Sequence, residues 1–332
     1  MQPILERAKA AGFDKAFLRR IVLPDWWNDE IASTPAGLAQ ATAIISRHTG
    51  LDFESLRSGD MPRFRESSCR FKRAKDTAET HLEIAKALGV QLARFAALGV
   101  QAPVRDVPAD GAAIRTAVRK TVPAVNLESL VAFCWQHGVM VLHFSELPKG
   151  AKKMHAMATI VGGRPAIIVC RRASEAHLLF DVAHELGHLA LGHVGEEASL
   201  VDENIDQDSD DGEEQAANSF ALCVITGGPT RIGLLPSTRW PSSTALANAA
   251  RKMGAHHGVD PGHIVLNYAH TMASRGTGSP EAFWGTAHSA LKSLGVRKDG
   301  AALIRAATSG RVDWDALPDD ARGFATRLLV DP

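Results

Sequence analysis

Between Ser174 and His193 the chain reads SEAHLLFDVAHELGHLALGH, and this stretch limits what the rest can fold into more than any other. At about 100° per residue it is an amphipathic helix. Leu178, Leu179, Val182, Leu186, Leu189 and Leu191 form a broad apolar surface, and Ser174 is available as N-cap. Inside it, His184-Glu185-Leu186-Gly187-His188 makes an H-E-x-x-H pattern. Two His one turn apart share a helix face, so their imidazoles can converge on one metal ion. Glu185 is turned about 100° round the helix and can reach an attacking water without being a ligand. This is the arrangement of a zinc hydrolase. The same five residues also arise by chance in helices whose His are surface or satisfied core residues. Two features of context favour the metal. An unliganded His-Glu-His group would be costly to bury in so apolar a helix. Gly187, which costs about 1 kcal/mol against Ala in a helix, is accounted for if another element packs closely there.

Catalytic zinc takes three protein ligands and keeps a position for water. His193 is the nearest candidate, but it follows His188 by five residues where the H-E-x-x-H-x-x-G-x-x-H pattern needs six, and the required Gly is missing. Downstream, Glu213–Ala221 reads EEQAANSFA, a second helical stretch rich in small residues. Glu214 can complete a His2Glu site there, and Asn218, one turn on, can accept a hydrogen bond from a ligand His. The alternative for Glu214 is a solvated helix N-terminus favoured by the macrodipole, and spacing alone leaves both readings open.

FDVAHELGHLALGH followed by Glu214, Ala217, Asn218, Phe220 and Ala221 in an E-x-x-A-N-x-F-A pattern resembles the ImmA/IrrE family of bacterial and phage metallopeptidases. NLESLVAFCWQHGVMVLHF and the PAIIVC strand also fit that family's layout, so the resemblance spans roughly residues 125–225. It implies that His184, His188 and Glu214 hold one zinc ion per chain and that Glu185 is the general base. It also implies a protein substrate, a helix-turn-helix repressor whose cleavage switches on a stress or mobile-element response. The long acidic insert before Glu214 and the large flanks depart from the family's pattern, and they bear on the substrate rather than on the chemistry.

With 332 residues the chain has ample length for a large core. Its 37 basic and 37 acidic residues argue against a protein that coats nucleic acid along its whole surface. Cys69, Cys134, Cys170 and Cys223 are far apart with no C-x-x-C pairing, which suggests free thiols in a reducing compartment. MQPILERAKAAGF has no signal-peptide apolar core and no stretch reaches the roughly 18 apolar residues of a membrane span, so a cytoplasmic protein without membrane contact is expected.

Before the central stretch, residues 1–60 read as short helices, with Gly12 ending the first and Asp14 capping the second. The segment 36–59 resembles the closing helices of a repressor-type helix-turn-helix domain, which would put a recognition helix at Trp26–Ile31. Asp25, Asp29 and Glu30 there would repel phosphates. Trp26 and Trp27 read as core residues. From Arg63 to Lys75 a basic run interleaved with Phe64 and Phe71 allows weak nucleic-acid contact, although such runs are more often solvated surface. Strands are expected at Val139–Phe144, Ala156–Val161 and Pro165–Cys170, packed on the His184 helix. Residues 196–214 carry ten acids and no Lys or Arg, which predicts a hydrated loop. Past Gly227, helices are expected at Ala245–Met253, Pro261–Ala273, Pro280–Leu294 and Pro318–Leu329. His263 and Tyr268 in the second of these are candidates for stabilising an oxyanion, though packing roles are commoner for such residues.

The sequence therefore predicts an α+β protein. A zincin-like metallopeptidase core over 111–235 lies between helical regions at 1–110, partly helix-turn-helix-like, and 236–332. The rival expectation is a non-catalytic regulator that keeps a structural zinc and binds protein or DNA through its flanks. An intact Glu185 weighs against it, since a structural site needs no base beside the metal.

Overall fold

The computed structural model describes residues 2–58, 61–65, 69–71, 79–152, 154–195, 199–202, 211–231, 242–275 and 279–330. The elements run α1 (Gln2–Ala10), α2 (Lys15–Phe17, continued by a π turn to Val22), α3 (Pro35–Thr49), α4 (Phe53–Ser58), β1 (Cys69–Phe71), α5 (Glu79–Leu98), α6 (Gly111–Val118), α7 (Leu127–Gln136) and β2 (Met140–His143). After these come β3 (Ala156–Val161), β4 (Arg164–Val169), α8 (Glu175–Ala190), β5 (Ser199–Asp202), α9 (Gly212–Thr226), α10 (Ser243–His257), α11 (Pro261–Ser274), α12 (Pro280–Leu294), α13 (Gly300–Ser309) and α14 (Asp319–Leu329). The architecture is α+β.

The sheet has the order β1-β5-β3-β4-β2. Its centre is the hairpin β3–β4, in which Ala156 faces Val169 and Val161 faces Arg164. Gly162 and Gly163 close it with φ of +55° and +72°, the two successive positive values of a tight hairpin turn, which side chains other than Gly, Asn and Asp rarely accept. β2 joins β4 in parallel, and β5 joins β3 antiparallel with Ala158 opposite Leu200.

Alternation along the strands sends neighbouring side chains to opposite faces. Met157 and Ile168 lie against Gly89 of α5, whereas Ala158 packs with Val194 and Leu189 at the end of α8. α5 and α8 therefore cover the two faces, which is why β2, β3 and β4 are almost wholly apolar. One hydrophobic cluster runs from Ile4 to Leu329. The chain's two ends meet in it: His48 of α3 stacks on Phe324 of α14 at 4.5 Å, and Arg327 donates to the carbonyls of Ile21 and Leu23.

Several expectations need correction. No helix covers Trp26–Ile31: the segment makes turns, with Asn28 Oδ1 accepting from the amides of Glu30 and Ile31, then a 3-10 turn at Ile31–Ser33. The acids there are used in ion pairs, Asp29 with Arg19 and Asp25 with Arg327. Trp27 packs on the core, but Trp26 is 49% exposed. Both charged runs supply strands. Ser199–Asp202 of the acidic stretch pairs with β3, and Cys69–Phe71 of the basic run pairs in parallel with Ser199–Val201. Period-2 patterning is too short in either run to announce a strand three or four residues long. Lys72, Arg73 and Lys75 of the basic run, and 196–198 and 203–210 of the acidic one, lie outside the described residues. The helix α13 at Gly300–Ser309 was not anticipated; it packs on β2, with the Thr308 hydroxyl donating to the Val141 carbonyl.

Candidate metal centre

α8 is seated before it can present anything. Arg171, just past β4, makes a two-pronged ion pair with Asp181 at 2.6 and 2.7 Å, and the Asp181 side chain is 1% exposed. Ser174 has the extended backbone of an N-cap, but its hydroxyl is engaged by His177 Nδ1 at 2.8 Å rather than by a helix amide. The second helix, α9, is capped by Asp211, whose carboxylate accepts from the amides of Glu213 and Glu214. That fixes the turn from which Glu214 projects.

The two helices cross closely at Gly187. A Cβ built there would stand 3.0 Å from Phe220 Cδ1 and 3.2 Å from Ala217 Cα. This close crossing brings Glu214 to the histidines. His184 Nε2 and His188 Nε2 are 3.0 Å apart, and each lies 3.3 Å from an oxygen of Glu214. All three residues are buried. Two nitrogens and an oxygen bound tetrahedrally at 2.0–2.2 Å would lie about 3.3 Å from one another. The donor set and its spacing therefore fit a metal ion. Burial alone would raise the Glu214 carboxyl, but the His184 and His188 imidazoles that face it outweigh burial and hold the group well below the usual carboxylate range.

The outer imidazole nitrogens are also engaged. Asn218 Oδ1 lies 3.0 Å from His184 Nδ1, so it accepts that N–H and leaves the Nε2 lone pair turned to the site. His188 Nδ1 lies 2.9 Å from His193 Nδ1. The sequence reading considered His193 only as a ligand. In the structure it meets the outer nitrogen of His188, and the signal that could have found it is Gly192, a helix-ending residue that turns the next side chain back on the helix. Glu185 is fully buried beside the pair. Its charge is felt at Cys170, the residue after β4, where burial first and Glu185 second push the thiol well above its ordinary range.

His263 and Tyr268 both lie buried on α11. His263 Nε2 faces Asn267 Nδ2 at 3.0 Å and accepts from it, which leaves the ring proton on Nδ1. Burial, with Arg231 second, pulls the His263 pKa down to about 4, so the ring is neutral near pH 7. The Phe180 ring is 6.3 Å from His263 and 6.2 Å from His184, which sets His263 one ring away from the His184–His188 pair. Burial raises the Tyr268 phenol.

Residues 134–228 match the Peptidase M78 family model, described as an IrrE N-terminal-like domain. The chain carries an IrrE N-terminal-like domain. The match opens inside α7 and ends just past α9, so the domain includes both helices that bring His184, His188 and Glu214 together. The family suggests a metallopeptidase-type function, with protein as substrate. No curated protein and no solved structure matches the chain. Among the described residues no helix is long and apolar enough to cross a membrane.

Proposed function

We propose that the chain is a zinc-dependent metalloendopeptidase with a zincin-like core over residues 111–235, flanked by helical regions at 1–110 and 236–332. The observation that carries this is the buried triangle of His184, His188 and Glu214, its atoms 3.0–3.3 Å apart, with Glu185 next to it on α8. Those three residues would hold the ion. When bound, Zn²⁺ supplies Lewis acidity that polarises the scissile carbonyl and acidifies a water. Glu185 takes the proton of the attacking water and passes it to the leaving amine. Asn218 keeps His184 in the tautomer that points Nε2 inward. Burial of the group excludes bulk water, which strengthens each of these interactions.

The substrate in this reading is one specific regulatory protein in the cytoplasm, a helix-turn-helix repressor of a stress or mobile-element response, as the resemblance to ImmA/IrrE peptidases implies. The test is to mix the zinc-loaded protein with repressors encoded near its gene and to look for discrete fragments by mass spectrometry. Elemental analysis of protein purified without added metal should find about one Zn²⁺ per chain. Full metal occupancy in a His184→Ala, His188→Ala double variant would sink the assignment.

A further inference from the structure

We infer that His193 is a positioning residue for the metal, delivered to its ligand by the cap of α8. The inference rests on the reading of His184, His188 and Glu214 as a metal site. α8 ends on Gly192, whose φ is +73°. The Gly192 amide donates to the Leu189 carbonyl at 3.3 Å and the His193 amide to the His188 carbonyl at 2.9 Å. These are the two hydrogen bonds of a Schellman cap, a motif that folds the second residue past the helix back over the residue three from its end. Such caps usually close with an apolar contact between those two side chains. Here the pair is His193 and His188, and the contact is between nitrogens, Nδ1 to Nδ1 at 2.9 Å, with ring centroids 5.1 Å apart.

Two imidazole nitrogens at that distance share one proton. With Nε2 of His188 turned to Glu214 and His184, the proton belongs on His188 Nδ1, and His193 Nδ1 accepts it. The partner orients the His188 ring and makes Nε2 a better donor to the ion, the service that Asn218 Oδ1 performs for His184. Val194, buried with Ala158 and packed by the half-buried Leu189, pins the chain immediately after His193, so the acceptor is held from both sides. The five-residue spacing that disqualifies His193 as a ligand is what this role needs. One turn of helix plus a cap places it behind His188 instead of in front.

The experiment compares His193→Phe, which keeps a ring but has no acceptor, with His193→Asn, whose Oδ1 stands as many bonds from Cα as the lost Nδ1. Zn²⁺ affinity is read by competition with a chelating indicator on the full chain. The visible spectrum of the Co²⁺-loaded protein provides a second reading. The Phe variant should bind Zn²⁺ about 10–100-fold more weakly, with altered Co²⁺ bands, while the Asn variant should stay within about threefold of the native protein with native bands. If the Phe variant fails to fold, His193→Ala takes its place, with the same expectation. Native affinity in both variants, or equal loss in both, overturns the positioning role while leaving the metal site standing. Failure of the native protein itself to bind Zn²⁺ would instead overturn the metal reading beneath it.

Discussion

Gly187 of α8 lies so close to Ala217 of α9 that an added methyl group would meet the Ala217 Cα at 3.2 Å and its carbonyl oxygen at 3.3 Å. Two helices this near each other share a backbone-to-backbone contact, and the reach of Glu214 to both histidines depends on it. The glycine is costly within α8, and the site is what it makes possible.

Gly187→Ala separates the two effects. Alanine gains about 1 kcal/mol of helix propensity, while forcing α9 outward costs roughly 1–3 kcal/mol of overpacking. Global stability measured by urea unfolding should therefore fall by no more than about 2 kcal/mol. Metal affinity should fall at least tenfold, because the Glu214 oxygens retreat from the histidines. Gly187→Val should lose both. Unchanged Zn²⁺ affinity in the alanine variant would show that the close crossing does not set the site.

What could be read from the sequence divides along a physical line. Local patterns carried the central elements: H-E-x-x-H placed two histidines on one face, β3 and β4 fall within a residue of their expected limits, and α8 begins one residue after Ser174 and ends three short of His193. Glu214 stayed open between ligand and solvated helix end, because the deciding quantity is the distance between two helices. Gly187 hinted that something approaches but could not say what. α5 covering the far face of the sheet through Gly89 and Met157 was invisible for the same reason. The strands β1 and β5 sit inside charged runs, where composition speaks for solvent and pairing is decided by the partner strand. Trp26–Ile31 misled because a repressor-like order of helices downstream suggested a helix that Asn28 replaces with a side-chain-capped turn.

Asp181→Asn tests how α8 is seated. The amide cannot match both guanidinium nitrogens of Arg171, now 2.6 and 2.7 Å from the carboxylate oxygens, and it leaves a largely buried cation short of its partner. Breaking such a pair from one side should cost roughly 2–4 kcal/mol. The denaturation midpoint should drop accordingly. A midpoint within experimental error of the native one would show that the pair is not needed to dock α8 on the loop after β4.

Acid should loosen the union of the two chain ends. His48 is wholly buried between Phe324 and Phe95, with its Nδ1–H donating to the Val22 carbonyl at 2.7 Å. Burial pulls its pKa from 6.5 down to about 4, the Val22 hydrogen bond opposes that, and Arg47 and Arg327 add to the fall. Because the folded value lies below the unfolded one, the unfolded chain takes up the extra proton between the two. Stability is therefore complete above about pH 6.5 and drains away as pH falls toward 4. At pH 5 His48 alone accounts for about 2 kcal/mol. Urea unfolding of metal-free protein at pH 7.5 and 5.0 measures the loss, and His48→Phe should shrink the difference by about that amount. An undiminished difference would place the acid sensitivity elsewhere, for example at His143 or His177, which burial also lowers to about 4.

Glu185→Gln and Glu214→Gln distinguish catalysis from metal holding. Both carboxylates are buried, and Glu214 lies 3.3 Å from the Nε2 of each histidine, the place of a metal ligand. Glu185→Gln keeps size and polarity and removes basicity, so zinc content and unfolding midpoint should stay near native. Cleavage of the true substrate should fall about 10²–10⁴-fold, the usual contribution of a general base. Glu214→Gln replaces a carboxylate ligand with a neutral amide, so metal content and cleavage should fall together. Adding excess Zn²⁺ should restore part of the activity of the second variant and none of the first. If Glu185→Gln binds zinc and retains the biological output of the native protein, the output does not depend on peptide hydrolysis. The chain would then act as a zinc-containing regulator. Loss of output in both variants, with loss of zinc in Glu214→Gln only, is the result expected of a peptidase.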